Sequence, residues 1–151
     1  MNKQTFVAAL LLAASFNTAV AKGKDSFSSE VKALATAIHH EARGESLAGK
    51  KAVANAIMNR VRHKEFPNTV AAVIAQRGQF QWYRNKRLRA KDSYSKDTEQ
   101  IAHIIYSAHV KKQNVDNTRG SVFFSSNGKR PAPRAVEPYR IGRHVFYRLK
   151  V

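Results

Sequence analysis

A short segment rich in histidine and acid is the part of this sequence best suited to chemistry. It contains His39, His40 and Glu41, at the end of an apolar helical pattern, and Glu41 lies three residues before the glycine at position 44. Near a helix C-terminus the dipole disfavours an anion, so the Glu41 carboxyl tends to stay protonated. A carboxylic acid that keeps its proton near neutral pH can protonate the oxygen of a sugar acetal. Position alone leaves a second interpretation open, a surface charge paired with Arg43 or a histidine.

The residue types and their spacing do not favour catalysis by a metal, a thiol or a serine nucleophile. The segment beginning at His40 starts like the zinc-protease motif H-E-x-x-H, but Gly44 stands where the second histidine is required. The chain has no cysteine, which excludes disulfides, thiolate nucleophiles and cysteine-type zinc sites. No G-x-S-x-G serine hydrolase signature is present. We therefore expect no metal and no other cofactor.

A loop over residues 77–83 interleaves aromatic and amide side chains, among them Gln79, Phe80 and Trp82. Flat rings stack on pyranose faces and amides bind hydroxyl and acetamido groups, so this composition suits a sugar-binding groove. The alternative is a loop whose rings anchor it to the core, an interpretation that applies to Phe80 more than to Trp82.

The charge balance concerns partners more than fold. The chain of 151 residues is long enough for one domain with a real core, and its formal net charge is +17. Such a surface favours an anionic polymer, such as a cell-wall glycan with its acidic stems, an anionic lipid or nucleic acid. A solubilising surface without a specific partner is the alternative.

The N-terminus has the layout of an export signal. Lys3 supplies a positive charge, residues 6–16 are apolar, and Ala19-Val20-Ala21 is a small-x-small cleavage pattern. We expect residues 1–21 to be a signal peptide cleaved near Ala21, which places the mature protein in the periplasm or outside the cell. A buried N-terminal helix and a retained anchor are the alternatives.

The remaining pattern predicts an α+β domain. We expect a polar linker and helix start over residues 22–30, with Ser28 or Ser29 as the cap, and a catalytic domain over 31–151. Apolar spacing predicts three further helices, capped by Ser46, Asn68 and Asp97, with Gly44 ending the first in a left-handed turn and with Ile101, Ile104, Ile105 and Ala108 inward on the last. Residues 121–126 and 141–147 are β-like and flank a loop from Arg130 to Pro138, so a small antiparallel sheet should follow the helices.

Five ordered blocks resemble the spore cortex-lytic enzyme family of bacterial cell-wall hydrolases. Together they cover nearly all of residues 38–147, although each block alone is weakly specific. The blocks are Glu41-Ala42-Arg43-Gly44-Glu45; Gly49 to Val61 with Ala52-Val53-Ala54 and Asn59-Arg60-Val61; Phe66-Pro67 to Ile74; Gly78-Gln79-Phe80-x-Trp82; and Ile141-Gly142-x-His144-Val145-Phe146-Tyr147.

The resemblance implies a lysozyme-like α+β domain that cuts the peptidoglycan glycan strand, as a lytic transglycosylase. It implies that Glu41 is the catalytic acid. It also directs attention to six residues as substrate contacts, namely Glu45, Gln79, Phe80, Trp82, His144 and Tyr147. The sequence departs from the family pattern at Gln81, where serine is frequent, and at Arg143, where asparagine is frequent. The positive charge is expected to act as the wall-targeting device, since no wall-binding repeat precedes the blocks.

Two other functions stay open at this point. If Glu45 activates water, the enzyme is a hydrolytic muramidase-type glycosidase. If Glu41 has no catalytic role, the chain is an exported basic protein that binds anionic polymers or nucleic acid. On the favoured interpretation peptidoglycan is the partner, with anionic wall polymers as further candidates, no stable nucleic-acid partner and a monomeric state.

Overall fold

Four helices come first along the described chain, and a sheet of three short strands follows. The computed structural model describes the backbone of residues 3–85 and 94–150, with side chains from residue 23 onward. The helices are α1 (Lys3–Ala42), α2 (Leu47–Arg62), α3 (Val70–Ala75) and α4 (Lys96–Val110), with a 3-10 turn at Gln81–Arg84; the strands are β1 (Phe123–Ser125), β2 (Ala135–Ile141) and β3 (His144–Leu149). The predicted α+β class, with helices before a small antiparallel sheet, is confirmed.

Helix α1 begins earlier than the sequence pattern predicts. It already includes residues 22–30, where a linker was expected, and the Ser29 hydroxyl donates to the Ser26 carbonyl at 2.8 Å as a side chain within a helix does. This segment has no proline, and the single Gly23 costs a helix only ~1 kcal/mol. The predicted signal segment, residues 1–21, lies outside the residues whose side chains the structure describes. Among the described residues, no helix combines the length and apolar character required to cross a membrane.

The turn between α1 and α2 follows the local sequence signals. Gly44 has a φ of 86°, and the Glu45 amide donates to the Ala42 carbonyl at 3.0 Å, which closes the left-handed turn after α1. The Ser46 hydroxyl then accepts from the Gly49 amide at 3.3 Å and caps α2. Both predicted caps are confirmed. The first of them defines the end of α1 at Ala42, one residue after Glu41.

Helix α3 is capped by residues other than the predicted Asn68. The Thr69 hydroxyl accepts from the Ala72 amide at 3.2 Å. The buried Glu30 carboxylate of α1 accepts from the Val70 amide at 2.6 Å. An anion at a helix N-terminus is favoured by the helix dipole. Glu30 therefore joins α1 to α3, a long-range role that its position in the sequence does not reveal.

Helix α2 lies at the centre of the domain and packs against the other helices and the sheet. Most of its side chains are buried, among them the apolar residues Val53, Ala54, Ile57, Met58 and Val61. Two buried amides bind the loop before β1: Asn55 donates to the Val115 carbonyl at 3.0 Å and Asn59 donates to the Ser121 carbonyl at 2.9 Å. Buried amides with partners satisfy the loop's backbone and hold it against the core.

Helix α4 is capped two residues earlier than predicted, at Ser95 and not at Asp97. The Ser95 hydroxyl accepts from the Thr98 amide at 3.3 Å and is the true cap. Three of the four predicted inward residues are buried, whereas Ile104 is 49% exposed, so that part of the prediction is wrong. The buried face of α4 therefore includes fewer apolar residues than the apolar spacing of its sequence predicts.

The sheet has the order β1-β3-β2, with both pairings antiparallel. The second β-like run of the sequence is divided by a turn at Gly142, whose φ is 57°, so Ile141 ends β2 and pairs with His144 at the start of β3. The predicted loop Arg130–Pro138 is wrong at its end, because β2 begins at Ala135. An irregularity in the pairing between Val136 and Tyr139 accommodates Pro138, which cannot donate to a strand ladder.

Candidate functional site

A cleft of about 940 Å³ runs between the helical part of the domain and the sheet. The end of α1, the 3-10 turn, β1 and the loop after β1 form its walls. Its described lining residues are His40, Glu41, Arg60, Gly78, Gln79, Gln81, Trp82, Asn85, Phe123 to Asn127, Lys129 to Ala132, and His144. Among these described lining residues, Glu41 is the only acid. The loop after β1 contributes the cations Lys129 and Arg130.

Glu41 is half-buried in the penultimate position of α1. Its Oε1 atom accepts a hydrogen bond of 2.8 Å from the Trp82 indole nitrogen. Burial raises the pKa of the Glu41 carboxyl, while the Trp82 hydrogen bond and the positive charge of Arg60 act in the opposite direction. A carboxyl whose protonated form is favoured and which faces an open cleft is suited to donate a proton to a bound substrate.

Trp82 is held in place on two sides. Its ring stacks on the His40 ring with centroids 4.4 Å apart and planes at 19°, while its indole nitrogen is bound to Glu41. The Phe80 ring packs beside it at 6.1 Å. A fixed, half-buried aromatic ring next to an acid is the arrangement expected where a sugar face is placed over a proton donor.

Arg60 of α2 is a site residue that is not among those predicted from the sequence. It is only 4% exposed, and its Nε atom donates to the Val122 carbonyl at 2.6 Å. Its guanidinium lies over three phenyl rings, those of Phe66, Phe80 and Phe123, at 5.7, 5.5 and 6.0 Å. Burial lowers the pKa of Arg60 to about 10, so it remains charged at neutral pH. A charged residue inside the apolar run of α2 was the available sequence signal.

Glu45 lies in the turn between α1 and α2 and points to the sheet. Its side chain is 4% exposed, and it accepts from Arg143 through the backbone nitrogen at 3.2 Å and through Nε at 2.6 Å. The Arg143 hydrogen bond lowers the pKa of the Glu45 carboxyl. Gly142 has a φ of 57°, and a Cβ there would displace the Glu45 carboxylate, so a side chain at this position would strain the turn and disturb the contact with Arg143. The Arg143 departure from the family pattern therefore provides the partner of Glu45.

His144 lies close to Glu45 and also lines the cleft. Its side chain is 4% exposed, and its Nδ1 atom lies 3.9 Å from Oε1 of Glu45, beyond hydrogen-bond distance. Burial lowers the pKa of His144, an effect opposed by the negative charge of Glu45 and by a hydrogen bond with the Glu41 backbone. The ring is therefore favoured in its neutral form, and it lies between the two acidic residues of the first sequence block.

The structure brings some of the predicted site residues to the cleft and places others behind it. Those that line the cleft are Glu41, Gln79, Trp82 and His144. Phe80 is 2% exposed beneath Trp82, and the Tyr147 hydroxyl donates to the Gly128 carbonyl at 3.1 Å. Neither residue is in the cleft lining, and nor is Glu45. The roles assigned to all seven residues stay predictions.

Two further sequence features bear on the site. Most of the basic stretch from Arg84 to Lys91 lies outside the described residues. Within the described chain, no three histidine, aspartate or glutamate side chains are grouped closely enough to hold a metal ion.

Comparison with known proteins gives a family and a fold. A family model described as Cell Wall Hydrolase matches residues 44–147, which is more than half of the chain and begins three residues after Glu41. Spore cortex-lytic enzymes of Bacillus cereus and of Bacillus subtilis strain 168 are each 47% identical over 45 residues, or 30% of this chain. The matched segment spans only 17% and 15% of those relatives.

Two solved structures share the fold. One is the catalytic domain of the Bacillus cereus SleB protein, and the other is the catalytic domain of the germination-specific lytic transglycosylase SleB from Bacillus anthracis. Each matches with a TM-score of 0.65 at 23% identity, over 79% of this chain and 89% or 93% of the other. This likeness shows that the chain shares its arrangement of helices and sheet with these two domains.

Proposed function

This chain belongs to the Cell Wall Hydrolase family, and we propose that it cleaves the peptidoglycan glycan strand between N-acetylmuramic acid and N-acetylglucosamine as a lytic transglycosylase. The observation that carries the proposal is the position of Glu41, a half-buried acid with a raised pKa that faces a cleft of polymer-binding size. The Bacillus anthracis protein of the same fold is itself described as a lytic transglycosylase, which supports this reaction over others.

In the proposed reaction Glu41 acts first as an acid and then as a base. Its carboxyl gives a proton to the glycosidic oxygen as the bond from C1 of the muramic acid breaks, leaving an oxocarbenium-like centre. The Glu41 carboxylate then takes the proton of the muramic acid's 6-hydroxyl as O6 bonds to C1. The products are a free 4-hydroxyl and a 1,6-anhydro ring, and no water is consumed. Glu41 ends the cycle protonated.

The surroundings of Glu41 support the use of one carboxylate. Hydrolysis normally requires a second carboxyl ~5–9.5 Å from the first to activate water or form a covalent intermediate. The nearest acid in sequence, Glu45, is engaged by Arg143 and lies outside the cleft lining. Attack by the substrate's own hydroxyl removes the need for that second group and benefits from a high effective concentration.

The substrate and the location follow from the same proposal. Peptidoglycan lies outside the cytoplasmic membrane, so the protein must be exported, with cleavage near Ala21 producing a mature chain of net charge +16 (17 − 1, for Lys3). We expect this charge to bring the enzyme to the anionic wall, and we expect it to act as a monomer. N-terminal sequencing of the mature protein tests the cleavage site.

The proposal is tested on purified sacculi with three proteins. The unaltered protein should release soluble muropeptides, and Glu41→Gln should release them ~10²–10⁴-fold more slowly, the usual contribution of a general acid. Glu99→Gln is the matched control, because Glu99 is an exposed acid on α4 outside the cleft lining. If Glu41→Gln keeps more than about half of the activity, Glu41 is not the acid. If every variant binds sacculi without lysis, the protein is a binder.

A further inference from the structure

The charge of Arg60 is buried without an ionic partner. None of the four ion pairs among the described residues includes it. Its Nε atom is bound to the Val122 carbonyl, but its buried Nη1 atom has no hydrogen-bond partner. A buried cation is costly unless it is paired, and a buried donor without an acceptor adds to that cost. The fold retains this group in the wall of the cleft, which calls for a compensating role.

Aromatic rings hold the guanidinium in one place. Phe66, Phe80 and Phe123 come from three different segments, and each places its ring within 6.0 Å of the Arg60 Cζ atom. Contacts between a cation and desolvated rings offset part of the burial cost. They also fix the position of the charge, because the planar group cannot turn without losing ring contacts. The positive charge is therefore a permanent feature of the cleft wall.

Glu41 is the acid that this charge reaches. The positive charge of Arg60 favours the ionised form of Glu41, and the negative charge of Glu41 favours the ionised form of Arg60. No guanidinium nitrogen lies within 4.0 Å of the Glu41 carboxylate, since the pair is absent from the ion pairs of the described chain. Direct contact would ionise Glu41 in the resting enzyme and remove the proton it must donate.

We propose that Arg60 is a positioning residue for catalysis that stabilises the Glu41 carboxylate formed each time the acid gives up its proton, while the Val122 carbonyl and the aromatic rings keep it out of ion-pair contact. It touches no reacting atom. The inference rests on the proposed function, because it gives Arg60 a part in the cycle in which Glu41 alternates between acid and base. In a low-dielectric wall such a charge acts over several ångströms.

Other titratable or charged side chains line the described part of the same cleft. They are His40 on α1, His144 on β3, and Lys129 and Arg130 on the loop after β1. Burial favours the neutral form of His144, and the two loop cations are exposed, so water screens them. Arg60 differs from all of these in being both buried and charged.

The test compares Arg60→Met and Arg60→Lys with the control Arg62→Met. Arg62 is exposed on the same helix and lies outside the cleft lining. Arg60→Met should lower kcat roughly tenfold to a hundredfold with little change in KM, as expected for one charge acting at an effective dielectric constant of about 20. The alkaline limb of its pH–rate profile should move to higher pH, because the charge that favours Glu41 ionisation is gone. Arg60→Lys should keep the alkaline limb near its original pH. Arg62→Met should change neither kcat nor the pH of the alkaline limb.

A direct titration makes the result independent of activity. NMR of carboxyl-labelled glutamate, with Glu41→Gln to assign the signal, should show the Glu41 midpoint rising in Arg60→Met and staying in place in Arg60→Lys. A midpoint that does not move in Arg60→Met overturns the inference, as does a Lys variant that behaves like the Met variant. If Arg60→Met does not fold, the Lys variant decides: a risen midpoint despite its retained charge overturns the inference. If the midpoint moves as expected but the unaltered protein makes no anhydro product, the coupling stands and the proposed function fails.

Discussion

Replacing Glu45 by glutamine separates a role in the fold from a role in the chemistry. Glutamine keeps the shape of the side chain and one carbonyl oxygen but removes the negative charge. In the structure that charge receives two hydrogen bonds from Arg143 and lies against the glycine of the β2–β3 turn. We expect Glu45→Gln to destabilise the protein while leaving most of its activity at temperatures where it is folded.

The size of the destabilisation follows from the two contacts. A hydrogen bond to a charged group contributes ~1.5–3 kcal/mol when shielded from water. The Arg143 side chain is 70% exposed, so its bond approaches a surface ion pair, worth ~0–1 kcal/mol. In the variant, the glutamine side-chain oxygen can still accept the hydrogen bond from the Arg143 backbone nitrogen, although the acceptor is then uncharged. Together these give a loss of ~1–2 kcal/mol and, for a domain of this size, a fall in Tm of roughly 3–8 °C.

The sign of the pH dependence is also fixed. The folded protein lowers the pKa of Glu45 below its ordinary value of 4.5, so the ionised form stabilises the fold. That contribution is present above about 4.5, the unfolded value, and is lost as the pH falls through the lower folded pKa. The Tm difference between Glu45→Gln and the unaltered protein should therefore shrink in acid.

Calorimetry and initial lysis rates provide the two measurements. Glu65→Gln is a suitable control, because Glu65 pairs with Arg134 where both side chains are largely exposed, and its effect on Tm should be smaller. A Glu45→Gln variant that keeps its Tm but loses ~100-fold or more of its activity, the size of loss expected for a catalytic acid or base, would contradict a structural role for Glu45. Glu45 would then be a second catalytic carboxylate, and hydrolysis would be the better account.

Three further predictions concern the cleft and the charged surface. Because burial raises the pKa of Glu41 above 4.5, initial rates should fall as the pH rises through that raised pKa; a rate that climbs steadily into the alkaline range would exclude Glu41 as a proton donor. Binding of Glu41→Gln to isolated walls should weaken as salt rises, since the Debye length is ~10 Å at 0.1 M; salt-independent binding in a cosedimentation assay would rule out the basic surface as the targeting device. EDTA should leave lysis unchanged; inhibition that zinc reverses would replace this mechanism with a metal-dependent one.

The features that could be predicted from the sequence are those set by local chemistry. Gly44 and Ser46 lie next to the groups they cap, so their roles follow from residues a few positions away. The acid at the end of an apolar helix was likewise visible in the pattern around Glu41. Local signals were sufficient for these positions because no distant part of the chain competes with them.

The features that could not be predicted depend on distant contacts. Glu30 caps α3 from another helix, across 40 positions of sequence, and no local pattern indicates this. Arg60 becomes a site residue only because rings from separate segments meet around it. Ile104 fits the helical spacing, but the described part of the chain leaves it 49% exposed, so its exposure was decided by packing.

The chemical nature of the new chain end distinguishes transglycosylation from hydrolysis. Fragments released from sacculi by the purified protein can be treated with borohydride and analysed by mass spectrometry. Transglycosylation with Glu41 as the only catalytic carboxylate predicts 1,6-anhydro-N-acetylmuramic acid ends, lighter by one water than hydrolytic ends and resistant to reduction. New ends that are reduced by borohydride would contradict the account and show that water, not the 6-hydroxyl, attacks the sugar.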